Sequence, residues 1–339
     1  MSKVVLPIKE EALFLSMYES SVYFSVIQAQ AERMGRDITP WLVGLMANYY
    51  HCPNFLWEFD TIKRTDWYVK QELFHKKHYQ YDDRMPGWDC EEIQNLLICS
   101  LKRGRYIHTK MDTFYLPDDA SYQAYHRTVE CLLYGFDSDR KELYFIRFFP
   151  SQPITLCVAS FNAVVNAICK KENHYILLDI LEFNMDFPFR LDEEALHNDL
   201  YDFLHSTRQS PRMTPGYKIV YGLKSLDSFR TYLCEVGVYY EYIDQKNITS
   251  FYDFQTITHI RYRYLKDNGY LLTDIYDSND SQLLVLSKQF LSDCIAFNQI
   301  QSKTILKQIL EAYDKIVDID IVLSQIMFDS LKKHMRLKS

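Results

Sequence analysis

Three side chains in one short stretch have the types that move protons: Asp112, His126 and Glu130. Asp112 falls near the C-terminal end of a strand-like run. There it serves either as an acceptor for a ligand amine or as an acid that steadies a turn. His126 sits beside Tyr125, three residues before Val129, and either orients a substrate or makes a structural hydrogen bond. Glu130 interrupts an apolar run, where a carboxylate needs a partner; Arg127 and Lys110 are the candidates, with an exposed sheet edge as the other explanation. Tyr115, Tyr122 and Tyr125 are interleaved with these residues and offer rings and hydroxyls for substrate contact.

Nucleophile and metal chemistry have weaker carriers. Cys131 is two residues beyond Val129, so the two share a face of their strand, and Cys131 reads first as a core thiol. Cys52 follows His51, but adjacent side chains point apart and rarely form a dyad. His75 and His78, with Glu72 nearby, would share one face if the segment were helical, without a clear third ligand for a metal. The sequence has no phosphate-binding glycine loop, no His-Glu-x-x-His and no Gly-x-Ser-x-Gly. No metal or cofactor is therefore expected.

The elements that position these groups follow from the apolar spacing. Leu13, Met17, Phe24, Ile27 and Ala31 predict a helix over 12–34, stopped at Gly35. Thr39-Pro40 predicts a second helix with Thr39 as its cap. Residues 55–85 mix strand and helix signals. Asp89 caps a helix from Cys90 to Lys102, which Gly104 ends. Strands follow at Tyr106–Thr109, Val129–Phe136 and Leu143–Phe149, the last two a hairpin through Asp137-Ser138-Asp139. Leu116-Pro117-Asp118-Asp119 makes a turn. Ile154–Ser160 and Tyr175–Phe183 are two more strands with a helix between them. Beyond Pro188 the pattern turns helical. Leu191–His205 is amphipathic, Tyr217–Tyr221 is a short strand, and Ser225-Leu226-Asp227-Ser228 caps a helix through Glu235. From Gln282 onward, Ile305, Ile309, Ile316 and Leu323 line one helical face. The expected class is α+β, with a module over 1–187 and a mainly helical region over 188–339.

Two segments carry a resemblance. The first is Met17-Tyr18-Glu19-Ser20-Ser21, a helix, Gly35-Arg36-Asp37-Ile38-Thr39 and Gly44-Leu45. The second is Asp112-Thr113-Phe114-Tyr115-Leu116-Pro117, Tyr122, Tyr125-His126 and Tyr134-Gly135-Phe136-Asp137. Together they resemble the family named for the butirosin-biosynthesis protein H acyltransferase, which is similar to the C39 peptidase branch of papain-like folds. The likeness covers about the first 180 residues. It implies an antiparallel papain-like module and acyl transfer through a cysteine at the start of the first helix, assisted by a histidine and an orienting acid. Carried onto this sequence, the cysteine falls at Met17, the histidine at Val129 and the acid near Phe148 or Phe149. All three are apolar. Glu19 and Ser20, at the first helix, are the polar groups left beside that position.

The resemblance thus implies an accessory protein of secondary-metabolite biosynthesis, of the nonribosomal-peptide kind. Its partner would be an acyl or peptidyl carrier protein with a phosphopantetheine-bound thioester. Without a covalent intermediate, catalysis would rest on positioning. The alternatives are a catalytically inactive scaffold that keeps the fold, and a cysteine peptidase or acyltransferase using Cys52 or Cys131.

Composition bounds these readings. Apolar residues make 47% and charged residues 24%, as in a globular chain with a sizeable core. The 27 Tyr and 21 Phe suit a large core with polar edges or a broad recognition surface. A net charge of −7 without basic runs argues against nucleic acid. The uncharged stretches Ile38–Trp57 and Ser151–Cys169 are broken by Pro and Asn, so no membrane span is expected. Eight scattered cysteines with no paired spacing, and no hydrophobic targeting core at the N-terminus, point to reduced thiols in the cytoplasm. Monomer and homodimer remain equally open.

Overall fold

A computed structural model describes residues 3–9, 18–45, 49–52, 58–61, 73–82, 89–147, 155–169, 175–207, 219–239, 241–271 and 277–338. Contacts divide the chain into two compact units. The first takes Met1–Arg36 and Thr65–Pro188, the second Asp37–Arg64 and Phe189–Ser339.

Unit one is a sheet with helices. Its strands are β1 (Lys3–Val5), β4 (Phe74–Asp82), β5 (Tyr106–Asp112), β6 (Thr128–Asp137), β7 (Glu142–Arg147), β8 (Thr155–Ser160) and β9 (Tyr175–Phe183). The spatial order is β4-β9-β5-β6-β7-β8, with β1 also on β6, and the pairings are antiparallel. Its helices are α1 (Tyr18–Arg33), α3 (Cys90–Lys102) and α4 (Phe161–Cys169). Asp89 caps α3 as expected, its Oδ1 accepting from the Glu92 amide at 2.8 Å. β6 slips register by one residue between Leu133 and Gly135. A side chain at Gly135 would stand 2.5 Å from the Val4 carbonyl oxygen, so the close approach of β1 requires glycine there.

Both sides of β5 are covered. Gln30 of α1 donates to the Tyr106 hydroxyl at 2.9 Å, and the Tyr23 ring lies 5.8 Å from that of His108. Helices α3 and α4 also pack on β5. Four successive residues, Tyr106, Ile107, His108 and Thr109, are consequently buried.

Unit two is mainly helical. It holds α2 (Thr39–Leu42), α5 (Glu193–His205), α6 (Leu223–Glu235), α7 (Gln245–Asp267), α8 (Asp277–Ile300) and α9 (Lys303–Lys338). A small sheet, β10-β2-β3, joins Val220–Tyr221, Tyr49–Cys52 and Glu58–Thr61. Phe229, Phe251, Phe290 and Tyr313 form an aromatic centre with ring separations of 5.0 to 6.1 Å. Ile309, Ile316 and Leu323 are buried along α9, and Ile305 is half-buried. A left-handed Gln301 (φ 53°) separates α8 from α9, so the helical run beginning near Gln282 is two helices. Among the described residues no helix is long and apolar enough to cross a membrane.

Three local expectations need correction. Thr39 is not the cap of α2 but its first residue; Asp37 stands before it and accepts from the Thr39 amide at 2.8 Å. Ser225 lies inside α6, with Gly222 at the cap and the Ser225 hydroxyl donating to the Gly222 carbonyl at 2.6 Å. His75 and His78 lie on strand β4, not on a helix, so three residues put them on opposite faces. Glu72 lies outside the described residues, among which no group of three His, Cys, Asp or Glu is placed to hold a metal.

Candidate functional site in the sheet unit

Alternation along β5 puts His108, Lys110 and Asp112 on one face. At roughly 3.3 Å per residue, His108 and Asp112 bracket a stripe about 13 Å long. Two clusters of polar side chains are built on it.

The first is at the Asp112 end. Asp112 is buried. Its Oδ1 accepts from the Phe114 amide at 3.0 Å and the Arg127 amide at 3.3 Å, and its Oδ2 lies 2.6 Å from His126 Nδ1. The carboxylate therefore does two jobs, capping the short 3-10 turn Thr113–Tyr115 and gripping the imidazole. Phe114 stacks on the His126 ring with centroids 4.3 Å apart, and Tyr115 lies 6.2 Å away at a tilt. The segment that returns the chain to β6 is fastened at several points. The Thr113 amide donates to the Arg127 carbonyl at 2.9 Å, and Asp119 holds the Ser121 amide, Arg127 and Arg147. With the carboxylate taking Nδ1–H, the neutral ring carries its lone pair on Nε2. His126 keeps a third of its side-chain surface exposed, and an imidazole oriented by a carboxylate is a group that can transfer protons.

The second cluster is at the His108 end. His78 of β4, Asp179 of β9 and His108 of β5 stand directly opposite one another in register. Asp179 lies 2.6 Å from His78 Nδ1, 2.7 Å from Lys76 Nζ and 3.7 Å from His108 Nδ1. One step along, Lys110 and Glu130 are paired in register at 3.2 Å, and Glu130 is 3.8 Å from His108 Nε2. His108 is thus set between two carboxylates. Its interaction with Glu130 outweighs burial and, with Lys110, lowers the Glu130 pKa to about 2. Burial of Asp179 works against ionisation, but His108, His78 and Lys76 together outweigh it and hold its carboxyl below the usual range. A cleft of about 180 Å³ opens here, lined by His78, His108, Lys110, Glu130, Asp179 and the flanking Thr109 and Leu177.

The residues singled out in the sequence are thereby sorted. Asp112 and His126 meet, with Tyr115 beside them. Glu130 belongs to the other cluster, where Lys110 rather than Arg127 is its cation. Tyr122 and Tyr125 are exposed on the segment before β6. Glu19 and Ser20 fall on the backbone of α1, and their side chains lie outside the described ones. His108, Lys76 and Asp179 were not singled out, and His78 was considered only as a metal ligand, although a histidine inside an apolar strand is a usable signal.

No protein-family model matches the chain, and no curated protein gives a significant match. Function therefore has to be argued from the site.

Of the positions matched to a cysteine, a histidine and an acid, Val129 is the one among the described residues. Val129 is buried and stands opposite Met111, so it faces away from the His108 side on which α1 lies. Met17, Phe148 and Phe149 lie outside the described residues. Cys131 is buried on the Val129 face, with Thr109 and Arg147 as its cross-strand neighbours. Cys52 is on β2, in unit two, and its side chain lies outside the described ones.

Proposed function

We propose that unit one is a papain-like module related to cysteine acyltransferases, with His126 as its acid–base group in place of a cysteine–histidine pair. The substrate is an acyl or peptidyl thioester on the phosphopantetheine arm of a carrier protein, and the acceptor is an amine. An antiparallel sheet with α1 laid on one face supports the module. The observation that carries the chemistry is the 2.6 Å contact between Asp112 and His126, made by a carboxylate whose other oxygen is already held by two backbone amides.

Asp112 fixes the tautomer and the ring orientation. His126 Nε2 takes the proton of the amine as its nitrogen attacks the thioester carbonyl. The new C–N bond forms, the C–S bond breaks, and His126 returns the proton to the departing thiolate. Electrons and protons balance without a cofactor. Positioned general-base catalysis of this type contributes about a hundredfold or more. Tyr115, Tyr122 and Tyr125 supply the aromatic surface on which the arm and acyl group rest.

The test is turnover of an acyl-pantetheine thioester with an amine acceptor. Replacing His126 with Ala should lower the rate about a hundredfold. Turnover that survives both His126→Ala and Asp112→Asn unchanged removes this reading. A second reading, a non-catalytic scaffold, is favoured by the burial of Val129 and Cys131. It expects carrier-protein binding without turnover in the unaltered chain.

A further inference from the structure

The His108 cleft is a separate construction from the Asp112–His126 pair, and its charge arrangement is specific. Its carboxylates form the floor, with Asp179 and Glu130 at 14% and 24% side-chain exposure, while His78 and Lys110 form the rim at 48% and 46%. Each carboxylate is already engaged. Asp179 is held by His78 and Lys76, and Glu130 by Lys110. A ligand entering the cleft therefore meets N–H donors first. Two ammonium groups, on Lys76 and Lys110, match the two carboxylates. Every proton taken up by His78 or His108 then leaves net positive charge in a walled depression.

We infer that this cleft binds a small oxyanion, a phosphate or carboxylate group, through Lys110 and His78, with protonated His108 beneath them adding positive charge. The groups facing His108 are Lys76 and His78 from β4, Asp179 from β9, Lys110 from β5, Glu130 from β6 and Tyr23 from α1. Of these and His108 itself, two are imidazoles, which gain positive charge when they take up a proton, so anion affinity should rise as pH falls.

Inorganic phosphate titrated into the full chain tests this, with calorimetry for affinity and histidine side-chain NMR signals for location. Saturable binding is expected at about pH 6, moving the His78 and His108 signals and weakening about tenfold by about pH 8. Lys110→Gln and His78→Gln, at half-exposed positions, should each weaken it about tenfold. His126→Ala should leave phosphate affinity unchanged, which separates this site from the proposed catalytic pair. The inference is overturned if the His78 and His108 signals show no saturable response at either pH, or if both rim variants bind like the unaltered chain. Should a variant misfold, the response of the unaltered chain decides alone.

Discussion

Asp112 lies 2.6 Å from His126 Nδ1 with one carboxylate oxygen, and with the other it caps the turn that begins at the next residue. One side chain therefore couples the order of the Thr113–Tyr115 turn to the orientation of the imidazole. Removing the carboxylate and removing only its charge should have different effects.

Asp112→Ala should cost about 1 to 2 kcal/mol of stability, because the Phe114 and Arg127 amides lose their acceptor. Asp112→Asn keeps an acceptor oxygen and should cost less than half of that, while still lowering His126-dependent turnover. Urea unfolding of both variants measures the difference. Equal losses would show that the cap contributes little.

Glu130 is held ionised well below the usual carboxylate range, with a folded pKa of about 2 against an ordinary 4.5. A depressed pKa contributes stability that is complete above the unfolded value and is lost as pH falls toward the folded one. The window is thus from about pH 5 down to about pH 2. Linkage sets an upper bound on the order of 3 kcal/mol, which solvent screening of this partly exposed carboxylate reduces. Glu130→Gln should flatten acid unfolding across that window, which a series of denaturant midpoints would reveal.

Asp320 behaves in the opposite sense. It is wholly buried in unit two, beside Gln255 at 3.3 Å, and burial raises its pKa from 3.8 to about 7 against the pull of Gln255 and Arg261. The folded chain then keeps a proton that the unfolded chain releases. Stability should fall as pH rises from about 4 to about 7 and level off above, by an amount on the order of 4 kcal/mol. Asp320→Asn should abolish that slope. An unchanged pH dependence in the variant would assign the slope to other groups.

Gly222 precedes α6 with φ +57°, and a side chain there would approach the Phe203 carbonyl oxygen to 2.2 Å. Gly222→Ala should therefore destabilise the chain by about 2 kcal/mol or more. Thermal unfolding measures it; a loss below about 0.5 kcal/mol would mean that the backbone relaxes.

Much of the local structure was legible from the residues themselves. Asp89 ahead of an apolar helical pattern marked α3, and the alternation of Leu, Tyr and Phe around Asp137-Ser138-Asp139 marked the β6–β7 hairpin. These signals are short-range, set by capping and by side-chain period. Asp112 and His126 were each readable as polar groups, and it is the tight return to the neighbouring strand that brings them together.

What local pattern could not supply was long-range. Helix α7 escaped notice because its buried surface carries Asn247, Ser250, Asp253, Gln255, Thr258 and Arg261, which read as solvent-facing until packed partners satisfy them. Arg261, for instance, donates to the carbonyls of Val43 and Leu45, more than two hundred residues earlier in the chain. The assignment of 37–64 to the helical unit rests on contacts of that kind. The His78–Asp179–His108 row was likewise fixed only by strand order and register, since a shift of one residue would turn each of those side chains to the other face. The sequence by itself determined the short-range elements that carry a clear cap or side-chain period, and the residue types able to exchange protons. The tertiary structure decided which proton carriers meet, because cross-strand register, not spacing along the chain, sets the distances between them.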